Sequence, residues 1–222
     1  MEVVFGKTNS KFIYRILVYI LGMFSLSFGV AFSINSRLGV SPVNSLPYII
    51  SLILEVKIGV AVIVVFSSYI LVQFLMLRAE FKWINMTQLI FSTIFGYFVN
   101  FAKFILGDFS IPTYAGQLVM LAISIFLVAI GICLYMDARL VNMPMEGMTH
   151  AITEKIFRGL PFHDVKVIMD TIVVTTGVIL SVVFLGNVSG VREGTILCAL
   201  TVGRMMKPLQ KIILPVIEKI CF

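Results

Sequence analysis

Charge is scarce in this chain. Asp, Glu, Lys and Arg supply 13% of its 222 residues, whereas hydrophobic residues supply 59% and mean hydropathy is +1.06. Soluble domains carry about a quarter charged residues, so this balance excludes an ordinary soluble domain. Cysteine is scarce too. Cys133, Cys198 and Cys221 stand in apolar or terminal surroundings with no Cys-x-x-Cys pair, which leaves them as small packing residues rather than a disulfide or zinc framework. A Walker motif, His-Glu-x-x-His, Gly-x-Ser-x-Gly and paired catalytic acids are all absent from the sequence. The chain therefore does not itself couple to ATP hydrolysis, and it reads as neither an enzyme nor a cofactor carrier.

What it has instead is length without charge. Uncharged runs cover residues 16–36, 38–54, 58–77, 83–102, 109–136 and 171–191. A spanning helix needs about 20 apolar residues, and most of these runs reach that length. The sequence thus predicts an all-α polytopic membrane protein surrounded by the lipid bilayer. The first run is too long for a cleaved leader and reads as the first spanning helix. A net charge of +6 would suggest a nucleic-acid partner in a soluble protein. In this setting it predicts no nucleic acid, only basic flanks that hold helices at a cytoplasmic leaflet.

The chain also repeats itself. Residues 29–47 and 131–149 align without a gap at an offset of 102, pairing Gly29 with Gly131, Arg37-Leu38 with Arg139-Leu140, and Pro42 with Pro144. Two pseudosymmetric halves result, each with three spanning helices and one short proline-initiated helix. The first repeat occupies 1–106, with helices at about 13–36, 42–56, 58–77 and 84–105. Residues 107–114 form a linker. The second repeat occupies 115–222, with helices at about 115–137, 144–158, 165–186 and 194–217. Such duplication characterises transport folds whose site lies between the halves.

Fifteen helical residues span about 22 Å, against a hydrocarbon core of about 30 Å. Short helices that fail to cross make the halves inverted; short helices that cross make them parallel. Lysine and arginine placement favours inversion. Lys7, Lys11 and Arg15 outnumber Lys103, and Lys155, Arg158 and Lys166 outnumber Lys57. Arg78 with Lys82 outnumber Arg192, and Arg204, Lys207, Lys211 and Lys219 outnumber Lys103. Six crossings with both termini cytoplasmic are expected.

The short helices carry the candidate site. Ser41-Pro42 is a helix start, and Pro144 marks the equivalent start. Helix N-termini inside a membrane leave N–H groups unpaired and attract anionic groups. On the second short helix Met145, Met148, Ile152 and Ile156 make one face; Glu146, Thr149, His150, Thr153 and Glu154 make the other. Asn44, Tyr48 and Ser51 form the matching stripe in the first half. These stripes suit a water-accessible path, but they suit equally a Glu146 that caps its own helix or a helix lying in the interface. Arg37 and Arg139 precede the two short helices, either as snorkelling anchors or facing the pseudosymmetric centre. Lys166 and Asp170, one turn apart, form a structural pair or a coupling pair with Glu146. Two ligands on one helix make no metal site, and none is expected.

These residues resemble the YczE/YyaS/YitT-type bacterial integral membrane proteins, especially the YczE-like branch. Leu38, Gly39 and Pro42 match its first-half element; Pro144 and Glu146 match its proline-x-acid element. Lys166 with Asp170 stand at its basic-acid pair, and Gly190 with Gly194-Thr195 near its glycine-threonine turn. Val141 and Asn142 replace glycines, and Met145 replaces an arginine, so a ligand held by that arginine is not carried over. The resemblance implies a multi-pass protein of the bacterial cell membrane, with a transport role inferred for the group. The expected function is secondary transport of a small polar or anionic solute, proton-coupled, through the short helices. The alternative is a membrane-embedded partner or regulator, or a membrane subunit of a larger complex, with no transport of its own. Homodimers and other membrane subunits stay open as partners. Gly22 and Gly29 suit packing within or between chains.

Overall fold

The computed structural model describes residues 2–81, 83–160 and 162–221. Lys82 lies outside these residues, as do the side chains of Lys7 and Lys207. Among the described residues the chain forms eight α-helices, α1 (Glu2–Ser36), α2 (Pro42–Ile53), α3 (Ile58–Leu77), α4 (Thr87–Leu106), α5 (Tyr114–Asp137), α6 (Pro144–Lys155), α7 (Phe162–Leu185) and α8 (Glu193–Cys221), with two short 3-10 turns between α3 and α4. Strands are absent among the described residues.

The bundle is organised around the crossing of α1 and α5, which run antiparallel. Arg15 donates from Nε to the Ala138 carbonyl (3.0 Å), Ser25 from Oγ to the Leu127 carbonyl (2.9 Å) and Ser124 from Oγ to the Gly29 carbonyl (2.7 Å). Gly22 and Gly131 bring the two backbones together: a Cβ on either would fall 2.7–2.8 Å from the other's carbonyl oxygen. In a bilayer, where lipid is as apolar as leucine, such close packing and interhelical hydrogen bonding hold helices together. Gly22 and Gly29 thus serve packing within the chain.

The remaining helices dock in matching pairs. Helix α4 lies along α1 and α8 along α5; α2 packs on α7 and α6 on α3. Helix α3 opens against the end of α4, where the Gly59 N–H donates to Asn100 Oδ1 (2.9 Å). At that same end Lys103 of α4 donates to Asn35 Oδ1 at the end of α1 (2.6 Å). So α1 finishes where α3 begins, and the intervening α2 enters and leaves from one end of the bundle. Helix α6 behaves likewise between the end of α5 and the start of α7. Neither short helix reaches the length of a span. Each has twelve residues, about 18 Å of helix.

Both are shorter than expected by three residues. Helix α2 stops because Glu55 adopts a left-handed conformation (φ 53°) and Val56 N–H bonds back to the Ser51 carbonyl, a Schellman closure. Ser41 sits at the N-cap, but its hydroxyl caps no backbone N–H. It accepts instead from Asn44 Nδ2 (2.9 Å). Arg37 and Arg139, with φ 59° and 52°, turn the chain back toward each short helix.

Among the described residues, five helices are long and apolar enough to cross a membrane: 11–36, 58–80, 87–106, 114–137 and 164–185. The expected sixth, α8, falls short in composition because Arg204, Lys207 and Lys211 interrupt it. Its length does not fall short. Cys198 packs with Leu121, Gln210 donates to Asp137 Oδ1 (2.8 Å) and Arg139 pairs with Glu218 (3.0 Å), so α8 runs the length of α5.

The two halves differ at one seam. Helices α3 and α4 close on each other at Gly59 and Gly96, where a Cβ would stand 2.1 Å and 2.6 Å from the facing carbonyl oxygen. Helices α7 and α8 touch little, and Gly203 faces open space.

Candidate functional site

The centre of the bundle is a polar spot in an apolar core. Glu146, at the third position of α6, is 5% exposed among Met143, Met145, Met148 and Met169. Tyr19 of α1, Tyr69 of α3 and Tyr135 of α5 are buried around it and lie within its electrostatic reach. The Tyr135 hydroxyl is within hydrogen-bonding reach of its carboxyl, and burial pushes that carboxyl above its ordinary range. Three oxygens here, Glu146 Oε2, Tyr19 Oη and Tyr69 Oη, find no hydrogen-bond partner among the described residues. Buried polar groups are otherwise almost always bonded.

Lys166 and Asp170 sit beside this spot on α7, the ammonium hydrogen-bonded to Asp170 Oδ1 and both half-buried. Their charges are the ones that bear on Glu146, the lysine favouring its ionised form and the aspartate opposing it. At Glu146 the lysine outweighs the aspartate, and burial outweighs both.

A second feature opens at the end of the bundle that holds the start of α1. A cavity of about 700 Å³ lies between α3, α4 and α6, lined by Gln73, Gln88, Asn85, His150 and Glu154 among others. At its floor two buried amides join. Gln73 donates from Nε2 to Gln88 Oε1 (3.0 Å) and to the Pro144 carbonyl (3.1 Å), tying α3, α4 and the first turn of α6 together. Burial pushes the His150 imidazole pKa down, toward its neutral form. Glu146 does not line this cavity. One residue advances a helix by about 100°, so Gly147 faces the cavity while Glu146 turns into the interhelical centre.

The expected polar stripe on α6 is therefore divided: Glu146 is buried, while His150 and Glu154 are exposed toward the cavity. Thr149 and Thr153 donate their hydroxyls to the Met145 and Thr149 carbonyls, and Ser51 donates to that of Tyr48, so these three are satisfied by their own helices. Tyr48 packs against Gly190. Asn44 is buried, with Oδ1 unpartnered. Of the two readings held open for Arg37 and Arg139, the surface one describes their side chains here. Both are exposed: Arg139 reaches Glu218, and the Arg37 carbonyl accepts from Arg192. A long cation at the end of a spanning helix minimises desolvation by snorkelling outward.

The sequence reading missed Tyr19, Tyr69, Tyr135, Gln73 and Gln88. Their signal was available in the two glutamines and the mid-helix tyrosines, polar tips inside otherwise apolar runs.

Helices of spanning length, two half-depth helices and a polar centre sealed between them define a polytopic α-helical membrane protein. The chain belongs to the Family of unknown function (DUF6198), whose model matches residues 13–211. It is similar to the uncharacterized membrane protein YczE of Bacillus subtilis (strain 168), 27% identical over 148 residues, which cover 66% of this chain and 66% of that protein. No solved structure matches it.

Proposed function

We propose that the protein is a secondary transporter of a small polar solute in a bacterial cell membrane, built as two inverted halves and driven by a cation through Glu146. The observation that carries this is the centre itself. Glu146 is a buried carboxyl at the start of a half-depth helix, faced by side chains from α1, α3, α5 and α7. Holding such a group away from water is costly, which makes it a functional candidate by default. A proton is the simplest cation that could neutralise it. The outward-facing arginines remove the expected hold on an anionic solute, leaving polar solutes the better fit.

Two features support the inverted arrangement. Helix α6 spans the same positions as α2 at the 102-residue offset, and the antiparallel α1–α5 contacts are exchanged by that offset. The difference between the closed α3–α4 seam and the open α7–α8 seam is the asymmetry that alternating access requires. Basic residues support a cytoplasmic N-terminal end. Lys11, Arg15, Arg78, Arg139, Lys155, Arg158 and Lys219 gather there, against Arg37, Lys57, Lys103 and Arg192 at the other end.

Purified protein in proteoliposomes tests the reading with mixtures of radiolabelled amino acids, sugars and amines. Uptake above that of empty liposomes, lost in Glu146→Gln, is expected. Uptake equal to empty liposomes for every mixture would count against transport.

A further inference from the structure

The cavity between α3, α4 and α6 has a floor of fixed geometry. Gln73 and Gln88 are 1% and 2% exposed, and their amides pair reciprocally. Gln73 Nε2 donates to Gln88 Oε1 (3.0 Å), and Gln88 Nε2 donates to Gln73 Oε1 (3.3 Å). The second Gln73 hydrogen goes to the Pro144 carbonyl (3.1 Å). Gly147 gives this amide its place on α6, since a Cβ there would stand 2.6 Å from Gln73 Oε1. An amide nitrogen donates twice and an amide oxygen accepts twice, so one Gln88 hydrogen and one lone pair on each oxygen stay uncommitted among the described residues. Asn85, Asn142 and a His150 that burial holds toward its neutral form line the walls, all side chains that both donate and accept. The ionised side chains of the lining, Glu80 and Glu154, are exposed and have cations at hand. Lys155 pairs with Glu80 (2.6 Å), and Arg158 donates to the Glu154 carbonyl (3.1 Å). Such a lining holds no charge in reserve for an ion, and its 700 Å³ is an ordinary size for a small-molecule site.

We propose that this cavity binds a small uncharged solute presenting a donor beside an acceptor, as a primary amide or two adjacent hydroxyls do, and that Gln73 and Gln88 select it. A buried amide pair discriminates because a solute lacking either group leaves amide atoms unpaired. Water meets the same atoms when no solute is there, so the gain on binding comes from the fixed donor–acceptor spacing and from apolar contact with Leu77, Leu140 and Ala151. The floor also touches the turn that carries Glu146. Gln73 holds the carbonyl of Pro144, the first residue of α6, and Glu146 is the third. A solute that draws on the Gln73 amide therefore acts on that turn. The site deepens the transport reading by naming the solute class. It rests on that reading for its role in uptake, not for binding.

Thermal unfolding of the full-length protein in detergent tests it. Nicotinamide, glycerol and myo-inositol serve as uncharged probes, putrescine and succinate as charged ones, all at low millimolar concentration. A ligand that binds only the folded state raises its midpoint, and a rise of about 2–5 °C is expected from at least one uncharged probe. Putrescine and succinate should give none. Gln88→Glu replaces an amide of the floor by a carboxylate, and it should weaken the affinity for that uncharged probe about tenfold and create a response to putrescine. Lost packing alone would not create that response. If Gln88→Glu does not fold, Leu77→Cys decides, in a chain whose three native cysteines are replaced by alanine. The uncharged probe should then slow thiol labelling at this lining position, and unchanged labelling overturns the proposal. No shift from any uncharged probe, a shift from the charged probes instead, or wild-type affinity in Gln88→Glu also overturns it. Loss of affinity there without any response to putrescine would overturn the selecting role of the floor. Uptake confined to charged solutes would overturn the solute class and leave transport standing. Binding of an uncharged probe without uptake of any solute would leave the site standing and overturn the transporter.

Discussion

Asn44 and Glu146 occupy the same position in two different helices. Each is the third residue of a twelve-residue helix that opens on proline, each is buried, and each keeps one side-chain oxygen unpartnered among the described residues. They stand 102 residues apart, the offset that also links Ser25 to Leu127 across the central crossing. The two positions differ mainly in charge, an amide on one side and a carboxyl on the other.

That asymmetry yields the first prediction. Glu146→Gln replaces the buried carboxyl by a near-isosteric amide and should leave the unfolding midpoint equal to wild type or higher. Asn44→Asp puts a carboxylate at a buried position. Burying such a charge costs several kcal/mol, so this variant should show lower membrane yield and a lower midpoint. Fluorescence-detected size exclusion after heating measures both. An Asn44→Asp protein as stable as wild type would mean that the first short helix is hydrated.

A second prediction concerns the two seams. A Cβ at Gly59 would meet the Gly96 carbonyl oxygen at 2.1 Å, so Gly59→Ala should separate α3 from α4 and cost about 1–3 kcal/mol, the usual scale of overpacking. Gly203 faces open space within α8, and Gly203→Ala should gain up to about 1 kcal/mol from helix propensity alone. Gly203→Leu should likewise keep its stability, and a loss of uptake in that variant would show that this open space closes during transport. Midpoints and uptake measured on the same preparations separate the two effects.

Much of this architecture was legible in the sequence, for a physical reason. Uncharged runs report helix depth, and proline at 42 and 144 fixes where the short helices begin. The aligned segment gave the equivalence of Arg37 with Arg139. The centre was harder to read. Glu146 stood out as an acid, but Tyr19, Tyr69 and Tyr135 reach it from three distant helices, and helical spacing along one segment cannot report a meeting between segments. The stripe on α6 misled because helical periodicity groups residues within about 100° of arc. Here the boundary between core and cavity falls inside that arc, between Glu146 and His150. The ending of α2 was also hidden, since nothing in Leu54-Glu55-Val56 announces a left-handed glutamate.

Sidedness gives a third prediction. Arg78 follows α3 beside the Glu80–Lys155 ion pair, and Arg192 donates to the Arg37 carbonyl at the other end of the bundle. With Cys133, Cys198 and Cys221 replaced by alanine, Arg78→Cys and Arg192→Cys should label from opposite faces with a membrane-impermeant thiol reagent. Under the orientation proposed above, intact cells should expose only the cysteine at 192. Labelling of both from outside would rule out the inverted arrangement.

The last prediction separates structure from function at Lys166 and Asp170. One turn apart on α7 and half-buried, they neutralise each other beside Tyr69 and Glu146. Removing either partner leaves an unpaired charge in low dielectric, a loss of about 3–5 kcal/mol for a buried pair and less here, where each side chain keeps some exposure. Removing both leaves no charge to desolvate. Lys166→Met and Asp170→Leu should therefore each lower membrane yield and unfolding midpoint, and the double variant should recover most of both. Solute uptake by the double variant then tells what the pair does. Wild-type uptake would make the pair purely structural. A folded double variant without uptake would place one of the two residues in the solute or proton path. Additive losses in stability would show that the two residues do not stabilise each other, whatever their distance.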